Sequence, residues 1–278
     1  MNIIYWNVNS GVPLEKTKWI DDLILEHSPD ILCIAEGPES IEACTDFVTH
    51  INGKGHKSYY NPTLFDGDSI GGQFGWNRFG LKVFIKKGFK LLTKFAFGNQ
   101  NSEGRIVYLR VADNSSFYSI FLIHGVSKSG DEIKQAQFMA ILFQFIKAKS
   151  FDKKDERIIV LGDFNLEPWD DLLRSEKYIF SHFYRKSFLY HSHKKVDFIS
   201  FNPVLEYLQQ QDDAELVGTF YNEKFLSILD FPLLSENLSN FNFEILTEVN
   251  KARLLRVKKT RQTLVDGFDH LPIHLKIT

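Results

Sequence analysis

The sequence of 278 residues predicts a single layered α/β domain in which strands of both directions are mixed. Three observations predict it. Short apolar runs alternate with amphipathic helical stretches. No Gly/Ser linker and no internal repeat divides the chain. Neighbouring runs such as 105–111 and 117–123 are joined by turns too short for a crossover, so they must pair antiparallel. Composition agrees: 44% of residues are hydrophobic and 24% charged, with 26 Phe and 10 Tyr to fill a sheet-rich core.

The elements follow in order. Residues 2–8 read as a strand and 14–27 as a helix with Leu14, Ile20, Leu23 and Ile24 on one side. Ser28-Pro29-Asp30 breaks it, and an apolar strand follows at 31–35. A second helix is expected at 39–52. Strand signals recur near 80–86, 105–111, 117–123, 157–162 and 196–201. The segment 131–149 is helical in pattern, with Ile133, Phe138, Ile141, Leu142, Phe145 and Ile146 at helical spacing. A last strand is expected at 272–277. The stretch 202–266 departs from this rhythm and reads as an insertion that sets specificity. It ends in a basic run, Lys251 to Arg261, with six cations in eleven residues. That run reads equally as a solvated helix face or as a phosphate-contacting surface.

A formal net charge of −2 argues against a protein that coats nucleic acid but leaves a nuclease open, because metal ligands are themselves carboxylates. Cys33 lies inside Ile31-Leu32-Cys33-Ile34 and reads as a buried, reduced thiol; Cys44 is the only other cysteine. The first residues lack the basic and apolar segments of a signal peptide, and no apolar stretch is long enough to cross a bilayer. A soluble, cytoplasmic protein is expected.

The chemistry gathers at strand ends. Ile158-Ile159-Val160-Leu161 runs into Gly162-Asp163-Phe164-Asn165, where a carboxylate and an amide two residues apart point the same way in extended chain. A plain turn would use the same residue types. Asp269-His270 precedes the last strand and offers an oxygen for a hard cation beside a proton carrier. Asn7 and Asn9 end the first strand, Glu36 the second, and His124 closes the strand through Ile123. Asp197 interrupts an apolar strand, and a buried carboxylate needs a partner, for which a histidine is suited.

Taken in this order, Trp6-Asn7-Val8-Asn9, Pro29-Asp30-Ile31-Leu32 leading to Glu36, Gly104-Arg105, His124, Gly162-Asp163-Phe164-Asn165, Lys195-Val196-Asp197-Phe198 and Asp269-His270-Leu271-Pro272-Ile273 resemble the endonuclease/exonuclease/phosphatase superfamily. The resemblance implies the DNase I-like fold: a four-layer α/β sandwich, two mainly antiparallel sheets face to face and flanked by helices. It implies Glu36 as the principal Mg2+ or Mn2+ ligand, assisted by Asn9 and Asp269. Asn7 and Asn165 would contact the scissile phosphate, and Asp163 would orient or deprotonate water. His270, held by Asp197, would protonate phosphate oxygens or act as the general base, and His124 would add a donor. Ala35, Leu122 and Phe268 depart from residues common in relatives and leave the subfamily open.

The motif Trp6-Asn7-Val8-Asn9 is nearest to exonuclease III-like enzymes, so a nuclease acting on DNA or RNA is expected. The rival expectation is a hydrolase of a small phosphorylated metabolite or lipid headgroup, and a third is a non-catalytic binding module. Arg105, and the loop bearing Trp76 and Arg78, are candidates for substrate contact. That loop reads also as a glycine-rich turn with a packed Trp.

Overall fold

The computed structural model describes residues 1–9, 14–37, 43, 46, 47, 49, 50, 60–62, 81–97, 104–113, 116–127, 132–150, 156–175, 177–184, 199–211, 218–221, 226–258 and 261–278. Through these the chain runs β1 (Asn2–Asn7), α1 (Leu14–His27), β2 (Ile31–Ala35), β3 (Tyr60–Pro62), β4 (Lys82–Lys86), β5 (Leu91–Phe97), β6 (Ile106–Asp113), β7 (Ser116–His124) and α2 (Glu132–Ser150). It continues with β8 (Arg157–Asp163), α3 (Asp171–Arg174), β9 (Phe180–His182), β10 (Ile199–Phe201), α4 (Val204–Gln210), β11 (Phe220–Tyr221), β12 (Leu226–Ser227), β13 (Asp230–Leu234) and β14 (Phe241–Ile245). It closes with β15 (Glu248–Val249), β16 (Ala252–Arg253), β17 (Leu255–Lys258), β18 (Arg261–Leu264) and β19 (Ile273–Ile277).

Two large sheets form, in the orders β14-β19-β1-β2-β4-β3 and β5-β6-β7-β8-β13-β10-β9. Within them only β1/β2, β7/β8 and β9/β10 pair parallel. The two sheets meet where β1 lies against β8 and β13 against β19. The central strands are therefore covered on both faces, which is why they read as unbroken apolar runs. Ile3, Ile4, Tyr5 and Trp6 of β1 and all of β2 are buried. Helix α1 turns Ile20, Leu23 and Ile24 inward, and α2 packs Phe138, Leu142, Phe145 and Ile146 inward beside β7. Among the described residues no helix is long and apolar enough to cross a membrane. Cys33 is a buried free thiol. Positions 43, 46, 47, 49 and 50 of the expected second helix are helical.

The segment 202–266 differs from expectation. It supplies β13 to one large sheet and β14 to the other, so it is part of the scaffold as well as an addition to it. Among its described residues the basic run forms no helix. Asn250 and Lys251 both take left-handed backbone, at φ 49° and 63°, and turn β15 into β16 as a two-residue hairpin. Strands β17 and β18 then pair as a second hairpin.

Candidate active site

One rim of the two sheets gathers the ends of six strands, and the topology explains why. The parallel pairs β1/β2 and β7/β8 place their C-terminal ends side by side, with Asn7 opposite Ala35 and His124 opposite Asp163. The antiparallel β13 brings its first residue, Asp230, beside Asp163. The antiparallel β19 is preceded at the same rim by Asp269 and His270.

Asp163 is the hub and is buried. Its Oδ1 accepts from the Asn165 amide N–H at 2.8 Å, and its Oδ2 accepts from Asn165 Nδ2 and Asn7 Nδ2, each at 3.2 Å. Asn7 Nδ2 also reaches Glu36 Oε1 at 3.5 Å. His124 Nε2 stands 3.6 Å from Glu36 Oε1 and 4.0 Å from Asp163 Oδ2. Asn9, Glu36 and Asn165 all have left-handed backbone, at φ 48°, 50° and 52°. Strain of this kind collects where function fixes a side chain's direction.

Two glycines allow the close approach. A Cβ on Gly162 would sit 2.1 Å from Ile123 O, and one on Gly125 would sit 2.3 Å from Phe164 O. Arg105, a candidate for substrate contact, has Nη1 turned toward backbone, donating to Gly125 O at 2.8 Å and His124 O at 3.3 Å.

His270 is held by Asp230, whose Oδ2 lies 2.7 Å from Nδ1. The expected holder, Asp197, lies outside the described residues, as do Trp76 and Arg78. Asp230 satisfies the same rule that pointed to Asp197, an acid at an apolar strand, but Pro232 disguises Phe231-Pro232-Leu233-Leu234 as a loop. Phe164 and Phe231 stack at 4.3 Å, keeping the ends of β8 and β13 aligned. Other residues that sequence patterns missed brace the site. Thr219 Oγ1 accepts from the Leu229 and Asp230 amides, and the Phe220 ring lies 4.8 Å from that of His270. Trp6 Nε1 donates to His270 O at 3.0 Å.

The electrostatics separate two roles. Burial, then the charge of Asp230, pushes the Asp163 carboxyl up to about 7. Burial pulls the His270 imidazole down, but Asp230, Asp163 and Asp269 outweigh it and hold its pKa up to about 10. Asp269 is also raised, first by burial and further by the nearby Glu36 charge. Its Oδ1 is buried and accepts no hydrogen bond. Carboxylates that raise one another, and a buried oxygen without a donor, fit a hard divalent cation held by Glu36, Asn9 and Asp269.

Two facing mixed sheets with an acid- and histidine-bearing rim define a phosphoester hydrolase of DNase I-like fold. A model of the Endonuclease/Exonuclease/phosphatase family matches residues 4–223, and the chain belongs to that family. No curated protein matches it in sequence. Among solved structures it is similar to D. rerio TDP2 complexed with single strand DNA product, at 16% identity and TM-score 0.59, covering 100% of this chain and 98% of that one. The human Nocturnin catalytic domain with bound sulfate anion aligns at 18% identity and TM-score 0.57, covering 100% and 94%. The Bacteroides thetaiotaomicron mannosyl-6-phosphatase aligns at 14% identity and TM-score 0.58, covering 100% and 99%. At these identities the likeness is one of fold.

Proposed function

We propose that the chain is a Mg2+- or Mn2+-dependent nuclease acting on DNA or RNA. The observation that carries the reading is the buried Asp163 carboxylate, held by Asn7 and Asn165 and facing the His270–Asp230 pair. A carboxyl at about pKa 7 is matched to accept a proton from water near neutral pH. His270, kept protonated by Asp230, donates to a phosphate oxygen and stabilises charge as the transition state forms. Asn7 and Asn165 fix the Asp163 carboxylate and present amide donors where the phosphate would lie. His124 adds a further donor on the Glu36 side. A cation held by Glu36, Asn9 and Asp269 supplies neutralisation of the phosphate charge.

A polymeric nucleic acid is favoured by Trp169, six residues past Asp163 and 53% exposed. A large exposed ring in the segment that follows β8 suits base stacking. The similarity to a TDP2 structure with a single strand DNA product supports the same class. The second reading, a small phosphoester, is supported by the similarity to a mannosyl-6-phosphatase.

The test incubates the protein with single- and double-stranded DNA, abasic-site DNA, RNA and small phosphomonoesters, with Mg2+, Mn2+ or EDTA. His270→Ala runs as the control for contaminating nucleases. Metal-dependent cleavage of a polymer that vanishes in the variant and weakens steeply with salt supports the nuclease. Hydrolysis confined to small phosphoesters, indifferent to salt, moves the assignment to the second reading.

A further inference from the structure

A second cluster of ligand-type side chains lies on the six-stranded sheet, away from the rim. His274 of β19 stands opposite Glu244 of β14, and its Nδ1 lies 2.6 Å from Glu244 Oε1. His27, in the last turn of α1, brings its ring to 5.0 Å from that of His274. One donor atom from each of the three lies within 4.8 Å of the other two. His274 is 6% exposed, and the Nε2 atoms of both histidines are buried with no hydrogen-bond partner. The nearest charge to His27 Nε2 is Glu26 Oε2, at the long distance of 3.9 Å.

A histidine pair serving only the core would leave two ring nitrogens unsatisfied, which is costly in a buried setting. The two Nε2 atoms do not bond each other either. Glu244 Oε1 accepts the hydrogen bond from Nδ1–H, so the neutral ring carries its lone pair on Nε2. A carboxylate behind one ring nitrogen is the arrangement that orients a histidine for a metal. Burial and the neighbouring His274 both lower the His27 pKa, which favours the neutral, ligating form. The C-terminal end of α1 adds a partial negative charge.

We propose that His27 Nε2 and His274 Nε2, with Glu244 orienting the His274 ring, bind a transition-metal dication of the zinc class. Two imidazole nitrogens suit zinc and its neighbours, whereas Mg2+ takes carboxylate and water oxygens such as those of the rim. The bound ion would fasten the end of α1 to the β14–β19 edge, so its effect is on stability.

The test uses the full chain, stripped with EDTA, in the background Glu36→Gln/Asp269→Asn, which weakens the hard-cation site. Calorimetry with Zn2+ is expected to show one equivalent bound, and Co2+ to give the visible absorption of nitrogen-and-oxygen coordination. Zn2+ is expected to raise Tm. Adding His27→Gln, a change at a half-buried helix end, is expected to weaken Zn2+ binding at least about 10-fold and to abolish the Tm shift. The fold is checked by circular dichroism. If the Glu36→Gln/Asp269→Asn protein binds no Zn2+, or binds it as tightly with His27→Gln added, the proposal is overturned.

Discussion

Asp163 and His270 are neighbours in one buried cluster, and burial and the charge of Asp230 shift both. Asp163 is protonated below about pH 7, so as a proton acceptor it is lost on the acid side. His270 keeps its proton up to about pH 10, so as a donor it is lost on the alkaline side. The expected rate profile is a bell between these limits, and added divalent cation should move the acid limb down by favouring the carboxylate. Asp230→Asn removes the charge that holds the imidazole up, so the alkaline limb should move to lower pH. A measured alkaline limb that Asp230→Asn leaves in place would remove Asp230 from this role.

Asp163 also bears on stability. Its folded pKa lies above its ordinary value of 3.8, so the stability it contributes is complete below that value and is lost as pH rises through about 7. Asp163→Asn should therefore melt higher than the natural protein at pH 8, by about 2–4 °C. Activity should fall by about 10²- to 10⁴-fold. Melting curves at pH 5 and pH 8, with the rise present only at the higher pH, check the sign.

At the scale of elements, the loop after β7 and the loop after β8 are tied together from α2. Gln135 Nε2 donates to both Val126 O and Asn165 O, each at 3.2 Å. Gln135→Glu removes the N–H donor while keeping size, so it should lower kcat roughly 10-fold with little change in fold, as expected when catalytic groups drift from their geometry. Gly162→Ala is different in kind. Its Cβ would meet the backbone of Ile123, so β7 and β8 would have to part, at a cost of about 3 kcal/mol or more, visible in denaturant unfolding. What the sequence made legible at this scale follows from locality. Acids at the ends of apolar strands, such as Glu36 and Asp163, stand out from their own neighbours. The pairing of Asp230 with His270 spans 40 residues, and no local pattern reports which of two acids beside apolar runs will face a given histidine. β14 alternates in burial at Phe241, Asn242, Phe243, Glu244 and Ile245, a period-two signal hidden inside a stretch read as an insertion. The basic run reads equally as a helix face or a phosphate-contacting surface, and the turn-forming Asn250 just before it is the local signal for the hairpin.

At the scale of the whole molecule, β19 is the element on which the rest closes. It lies between β14 and β1, with Ile273, Leu275 and Ile277 buried. A chain ended before residue 272 should lose β1's partner on that side and show no cooperative melting transition, even though His270 would remain. A cooperative transition in such a chain would show that β19 is dispensable.

The bond from Trp6 Nε1 to His270 O joins residues 264 positions apart. During synthesis the first strand leaves the ribosome long before its last neighbour exists. The half-built protein can hold Glu36, His124 and Asp163 yet lacks the imidazole and the strand that frames it. On the role proposed for His270, such an intermediate would cleave no phosphoester, and activity would begin only when β19 and the imidazole before it are in place.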